Sequence, residues 1–125
     1  MTPGKIKFKA EVEVGLEALS VERIRMLVEA VDTAPQLVGG VMVVTSANDG
    51  VHKSGSLHYE DRAFDIRFLG MREGGIVVIA GDMDATYRLQ RRAAAEWGTR
   101  LQARLGDAYD VIVEADHIHV EEDRA

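Results

Sequence analysis

Two kinds of hydrophobic periodicity alternate along the chain. Residues 5–14, "KIKFKAEVEV", alternate polar and apolar side chains at period two, which is typical of a half-buried β-strand. Segment 21–31 follows a candidate helix N-cap at Ser20 and has apolar residues at helical spacing. Its predicted buried stripe consists of Ile24, Leu27, Val28 and Val31. The chain therefore begins with a strand and a helix.

Short apolar runs separated by glycine follow this helix. Residues 36–47, "QLVGGVMVVTSA", are rich in β-branched side chains and predict a buried strand that ends near Ser46. Residues 63–70, "AFDIRFLG", and residues 74–81, "GGIVVIAG", predict two further strands. The middle of the chain is thus expected to contribute three strands.

The last third of the chain combines a long helix with two strands. Apolar residues recur every four positions between Asp84, a candidate N-cap, and Gly106, a candidate C-terminal stop, and predict a helix of about five turns. The recurring residues are Leu89, Ala93, Trp97, Leu101 and Leu105. Segments 109–115 and 117–122 are strand-like and are separated near Asp116. The predicted fold class is α+β, a mostly antiparallel sheet covered by two helices.

Length and charge narrow the class of protein. A chain of 125 residues suffices for one domain with its own core, so residues 1–125 are expected to form a single unit. The 21 acidic residues outnumber the 15 lysines and arginines and give a net charge of −6, which argues against nucleic acid as a partner. The chain has no cysteine, so a metal has to be bound by His, Asp or Glu.

The N-terminal segment bears on localisation. Residues 1–14 lack the apolar run of a signal peptide, and no apolar run in the chain is long enough for a membrane span. We therefore expect a chain that is synthesised in the cytoplasm without a signal peptide and that has no membrane partner.

A His-x-His pair near the C-terminus carries candidate chemistry. In an extended strand, His117, His119 and Glu121 point to one face of the sheet, while Ile118 and Val120 point into the core. A polar sheet face without a metal is the more usual reason for a His-x-His pair on a strand. The pair alone therefore leaves the choice between a metal site and a solvated surface open.

His58 and Asp65 are the candidate partners of this pair. His58 follows a Gly/Ser loop, and Asp65 lies between two apolar residues of a predicted core strand, where a carboxylate is costly unless it is paired or bound to a metal. Two histidines and one aspartate would leave a fourth zinc position open, as in catalytic sites. The alternative for Asp65 is an ion pair with Arg62 or Arg67.

Residues 56–65, "SLHYEDRAFD", resemble the Ser-x-His-x-x-Gly-x-Ala-x-Asp signature of a known family. The family comprises the zinc D-alanyl-D-alanine carboxypeptidases and their phage L-alanyl-D-glutamate endopeptidase relatives, which share a fold with the hedgehog signalling domain. Ser56, His58, Ala63 and Asp65 match the signature, whereas Asp61 stands at the glycine position. The resemblance implies the hedgehog/D-alanyl-D-alanine peptidase-like fold and a bound Zn²⁺.

The family's second motif is an acid, two residues and the last zinc-binding histidine. "DHIH" fits it with Asp116 and His119, and "EADH" fits it with Glu114 and His117. We prefer the first alternative because a histidine two residues before the ligand, as at His117, recurs in hedgehog-like members. The resemblance then implies zinc ligation by His58, Asp65 and His119, with Asp116 as general base.

The same resemblance implies a substrate and the residues that bind it. The expected substrate is a stem peptide of bacterial peptidoglycan that contains D-amino acids, cleaved by a carboxypeptidase or by a phage endolysin acting at the host cell wall. His117 or Ser56 would stabilise the oxyanion or orient the peptide. Family members often have a carboxylate-binding arginine after the preceding Thr-Ser, but residues 45–50, "TSANDG", have none. Lys53 or Arg62 is the candidate replacement.

Two other interpretations remain at this point. A non-catalytic, hedgehog-like zinc-binding module for interaction or assembly agrees with the two departures from the family pattern. A metal-free acidic domain whose histidines line a sheet face agrees with the composition.

Overall fold

The computed structural model describes residues 5–8, 21–46 and 63–122. In these ranges it contains five strands, two α-helices and a short 3-10 turn at Val38–Gly40. The strands are β1 (Lys5–Phe8), β2 (Val41–Ser46), β3 (Ala63–Arg67), β4 (Tyr109–Val113) and β5 (His117–Glu122), and the helices are α1 (Val21–Thr33) and α2 (Met83–Leu105). Neither described helix is long and apolar enough to cross a membrane.

The five strands form one mixed sheet in the order β1-β2-β3-β5-β4. β1 pairs with β2 in parallel, and the other three junctions are antiparallel. The predicted α+β class with a mostly antiparallel sheet and two helices is therefore confirmed. The strands predicted at 36–47, 63–70, 109–115 and 117–122 are all present, and of the strand predicted at 5–14 the described part is β1.

Both helices contribute to one hydrophobic core with the sheet. Trp97 of α2 is fully buried, and its indole Nε1–H donates to the carbonyl of Ala30 in α1 at 3.0 Å. The apolar core-facing residues of β3 and β5 are at most 1% exposed. They are Phe64, Ile66, Ile118 and Val120. The central pair of strands is thus held in place by apolar packing on one face.

The buried stripe of α1 differs from the predicted one. The exposed fractions are 46% for Ile24, 6% for Leu27 and 53% for Val28, and Val31 is half-buried. The helix is rotated so that Arg23 is fully buried, with its guanidinium carbon 4.1 Å from the centre of the Phe64 ring. A cation over an aromatic face and an aliphatic stem allow arginine to take a core position. The residue that precedes α1, Ser20, lies outside the described residues.

Segment 74–81 is not a strand, contrary to prediction. Its only described bridge joins Leu37 and Ile76. The Ile76 N–H donates to the carbonyl of Phe68 on one side, whereas the next N–H, that of Val77, donates to Gln36 on the other. Because consecutive residues bond to different neighbours, no continuous ladder forms. Apolar composition alone could not reveal this change of partner.

α2 ends where predicted but begins differently. Its N-cap is Asp82, whose Oδ1 accepts from the N–H of Ala85 at 2.8 Å, and not Asp84, which lies in the first turn. Gly106 is the C-cap with φ +87°, a conformation that glycine adopts without strain. Leu89 is 40% exposed although Trp97 and Leu101 are buried. A four-residue repeat drifts about 40° per step around a helix with 3.6 residues per turn.

Candidate functional site

The pairing of β3 with β5 brings two predicted site residues together. Asp65 lies opposite His119, and Arg67 lies opposite His117. Because side chains alternate across a strand, these residues share the face opposite the core. We call this surface the polar face. It consists of Asp65, Arg67, His117, His119 and Glu121.

His119 is held between two carboxylates. Its Nδ1 lies 2.8 Å from Oδ1 of Asp65, and its Nε2 lies 3.0 Å from Oε1 of Glu121. Both ring nitrogens have to carry a proton to donate to both carboxylates, so this arrangement stabilises the imidazolium. The hydrogen bond with Asp65 raises the pKa of His119 above 6.5, an effect that burial opposes and that the charges of both carboxylates reinforce.

Asp116 and His117 extend this row of polar groups. Asp116 lies in the turn between β4 and β5, which is closed by a hydrogen bond from the N–H of Glu114 to the carbonyl of His117. His117 Nδ1 lies 2.7 Å from Oδ1 of Asp116, and its Nε2 lies 3.7 Å from Oδ1 of Asp65. The hydrogen bond from His117 lowers the pKa of Asp116, so this carboxylate is ionised at neutral pH.

The two alternatives for the second motif differ in their distance from Asp65. The ring of His119 contacts its carboxylate at 2.8 Å, and that of His117 approaches it at 3.7 Å. Glu114 is exposed, and its backbone N–H takes part in closing the turn. Asp116 is also exposed, with 70% of its side chain accessible, but it lines a cavity together with His117.

The chemistry of the donors can be tested against zinc for the described part of the predicted set. Asp65 Oδ1 and His119 Nδ1 are oxygen and nitrogen donors of the types that zinc accepts, and at 2.8 Å they are close enough to contact one ion. Within residues 5–8, 21–46 and 63–122, no group of three or more His, Asp or Glu side chains is arranged to hold a metal. The predicted set therefore depends on a third ligand, for which His58 was predicted.

Four predicted site residues lie outside the described residues. They are His58, Ser56, Lys53 and Arg62. The alternative for Asp65 was an ion pair with Arg62, which is not described, or with Arg67, and the described contacts of Asp65 include the two imidazoles. Arg67 instead donates from Nη1 to the carbonyl of Glu73 at 2.8 Å.

A cavity of about 380 Å³ opens beside Asp116 and His117. Its other lining residues are Thr45, Arg67, Leu69, Gly70, Arg72 and Tyr87. Burial lowers the pKa of Arg67, and the positive charge of Arg72 adds to this effect, so two cations lie close together here. This arrangement was not predicted from the sequence. Period two from Asp65 places Arg67 on the polar face, but no local pattern points to Arg72 or Tyr87.

Comparison of the chain with protein-family models and with curated proteins found no match. A proposal for its function therefore depends on the geometry of the polar face and on the two motifs.

Proposed function

We propose that the protein is a zinc-dependent peptidase that hydrolyses peptide bonds in the stem peptides of bacterial peptidoglycan, with the hedgehog/D-alanyl-D-alanine peptidase-like fold. The observation that carries this proposal is the contact between Asp65 and His119, which are 54 residues apart and come from different motifs. The resemblance to the zinc peptidase family implies that both bind one zinc ion. Their side chains meet on the polar face, as that role requires.

The proposed zinc ligands are His58, Asp65 and His119. Zinc held by them would polarise a peptide carbonyl and make a water molecule more acidic at neutral pH. Glu121 accepts from Nε2 of His119 and so orients the ring with Nδ1 towards Asp65. A carboxylate behind a ligating imidazole is the usual means of fixing its orientation and tautomer.

Asp116 is the proposed general base. Its carboxylate is ionised, lines the cavity and is largely exposed, so Oδ1 or Oδ2 can accept a proton from water and return it to the departing amine. The Nδ1–H of His117 donates to Oδ1 and orients the carboxylate. The shorter approach of His119 to Asp65 supports the pairing of Asp116 with His119 over that of Glu114 with His117.

A zinc-binding module without hydrolysis is the second candidate. It is favoured by the hydrogen bond between Asp116 and His117, since the proposed base already has an imidazole partner at 2.7 Å. In that case the same residues would serve stability or assembly.

The test combines metal analysis with digestion of purified peptidoglycan and synthetic stem peptides. We expect about one zinc per chain, release of new amino groups, loss of this activity with chelator and recovery with zinc. Asp116→Ala should lower kcat by on the order of 10²-fold or more and retain zinc. Glu114→Ala changes the neighbouring acid of the same turn and should leave kcat unchanged.

The possible results distinguish the peptidase from the other interpretations. Zinc without cleavage of any stem peptide would establish the non-catalytic module. Protein that takes up no stoichiometric zinc would exclude both zinc proposals. A loss of kcat in Glu114→Ala that exceeds the loss in Asp116→Ala would move the motif to Glu114 and His117. A phage lytic or virion-associated enzyme is the setting that we propose for the activity.

A further inference from the structure

The strand β4 lies at one end of the sheet and, among the described strands, pairs only with β5. The side-chain amide of Gln102 in α2 accepts from the N–H of Val111 at 2.9 Å and donates to the carbonyl of Tyr109 at 2.7 Å. These backbone groups therefore point away from β5. Those of Val113 do the same, because alternate residues of an antiparallel strand bond to the same side.

Gln102 satisfies only the first part of this outer edge. Within the described part of the chain, no group bonds to the outward carbonyl of Val111 or to the outward N–H and carbonyl of Val113. Val113 is 38% exposed. Unpaired N–H and C=O groups on an exposed edge are a template for a further extended chain. The end of β4 can thus form backbone hydrogen bonds with an added strand.

A groove of about 470 Å³ lies between this edge and α2. Val111 and Val113 line it from the strand, and Ala95 and Thr99 line it from the helix. The two elements are close, because a side chain at Gly98 would place its Cβ 2.7 Å from Cγ2 of Val113. Every second side chain of an added strand would point to this side of the sheet. The groove therefore favours a strand with apolar residues at alternate positions.

The opposite face of the same edge is acidic. Asp110 and Glu114 are exposed there on either side of Ile112, which is 45% exposed. Among the described residues, neither carboxylate forms an ion pair. Asp110 also lies opposite Glu121 in the register, and like charges directly opposite each other are unfavourable. Basic residues at the remaining positions of an added strand would offset this negative charge.

We propose that the outer edge of β4 binds an extended peptide segment of a partner protein, in which basic residues alternate with apolar ones. Backbone hydrogen bonds to Val111 and Val113 provide affinity, the groove accepts the apolar side chains, and Asp110 and Glu114 pair with the basic ones. A second copy of the chain fits less well, because pairing through its own β4 would bring the same acids together. The proposed binding is independent of the peptidase, since β4 carries none of the proposed zinc ligands.

Peptide binding to the full chain tests this proposal. The probe is a fluorescein-labelled heptapeptide of alternating lysine and valine with blocked ends, and fluorescence anisotropy measures its Kd. One control peptide has the same composition with the lysines and valines in two blocks, and another has glutamate in place of lysine.

Three variants change different parts of the edge. Val113→Pro removes an outward N–H that takes no part in the pairing with β5, Ala95→Leu fills the groove from an exposed helix position, and Asp110→Asn removes one acid. Asp84→Asn changes an exposed acid in the first turn of α2 and is the matched control for Asp110→Asn. Circular dichroism and urea denaturation show whether each variant folds, and Ala95→Leu decides the test if Val113→Pro does not.

We expect the alternating lysine peptide to bind at least about tenfold more tightly than either control peptide, with or without chelator. Val113→Pro and Ala95→Leu should each raise its Kd about two- to tenfold. Asp110→Asn should raise it about two- to fivefold, whereas Asp84→Asn should leave it unchanged.

Equal affinity for the alternating and the block peptide would show attraction by charge alone and would overturn the inference. A Kd that Ala95→Leu leaves unchanged would also overturn it. Self-association of the chain that Ala95→Leu abolishes, measured by sedimentation equilibrium, would assign the edge to a second copy instead. Peptide binding as expected in a protein that hydrolyses no stem peptide would retain this inference and exclude the peptidase, and hydrolysis without peptide binding at the edge would do the reverse.

Discussion

The two faces of the β3 and β5 pair have opposite chemistry although they are built from alternate residues of the same strands. On the core face, Ile66 and Ile118 are paired and at most 1% exposed. On the polar face, the side chains of Asp65 and His119 are paired and 18% and 19% exposed. One register therefore serves both stability and site geometry. A shift of the strand register by one residue would exchange the two faces and disrupt both the core packing and the site geometry.

The largest effect is expected from a cavity on the core face. Ile118→Ala removes a fully buried side chain and should lower the free energy of unfolding by about 2–5 kcal/mol, measured by urea denaturation. Ile112→Ala is the control, because Ile112 lies opposite His119 on β4 and is 45% exposed. If Ile112→Ala destabilises the protein as much as Ile118→Ala, then the assignment of the two faces is wrong.

On the polar face, Asp65→Ala should remove metal binding. We expect loss of stoichiometric zinc and of the stabilisation that zinc adds, about 4 kcal/mol at a free zinc concentration about 1,000 times the Kd. Zinc content and unfolding with and without chelator give the measurement. Asp110 is an exposed acid opposite Glu121 on β4. The control variant Asp110→Ala should retain both the bound zinc and the stabilisation that zinc adds. Zinc retained in Asp65→Ala would exclude Asp65 as a ligand.

A smaller effect on zinc binding is expected from Glu121→Gln. This variant separates a residue that orients a ligand from a ligand itself on the polar face. The neutral amide that replaces the carboxylate cannot supply a charged acceptor to Nε2 of His119, so the Kd for zinc should rise about 10- to 100-fold while the stoichiometry is kept. Competition with a chromophoric chelator measures the Kd. Glu114→Gln, in the exposed turn, provides the baseline. An unchanged Kd in Glu121→Gln would exclude this positioning role.

The smallest effect concerns the metal-free protein and pH. Because contact with Asp65 raises the pKa of His119 above 6.5, this contact contributes stability that is fully present below pH 6.5 and is lost as pH rises through the folded-state pKa. Burial of the imidazole opposes the rise in pKa, so we expect a small contribution. The difference in unfolding free energy between the wild type and His119→Gln, measured with chelator, should therefore be larger at about pH 5.5 than at about pH 8.5. The opposite trend would contradict the assigned protonation.

Prediction of the fold succeeded where local pattern and tertiary environment agree. β2, β3, β4 and β5 coincide with predicted apolar or alternating runs. The buried face of α1 differs from the predicted one, because Arg23 occupies a core position over the ring of Phe64. The strand predicted at residues 74–81 is not formed, because the backbone changes its hydrogen-bond partner from one residue to the next. Both depend on neighbours that are distant in the chain, and hydrophobic periodicity contains no information about them.

For the candidate site, the motifs identified Asp65, His117, His119 and Asp116, and the chain brings their side chains into one row. Arg72 and Gln90 had no local signal. The polarity of Gln90 suggests an exposed helix residue. It is fully buried, and its amide donates hydrogen bonds to two backbone carbonyls. The sequence therefore predicted the site residues that belong to a motif, but not those that form the cavity.

The sequence by itself determined which side chains share a face of each strand, because alternation at period two is a local property of an extended backbone. From it alone, His117, His119 and Glu121 belong together, with Ile118 and Val120 opposite. Only the tertiary structure decided that Asp65 lies against His119 and that Arg67 and Arg72 meet in one cavity. Strand register and loop anchoring depend on packing between distant segments, and no residue's immediate neighbours specify them.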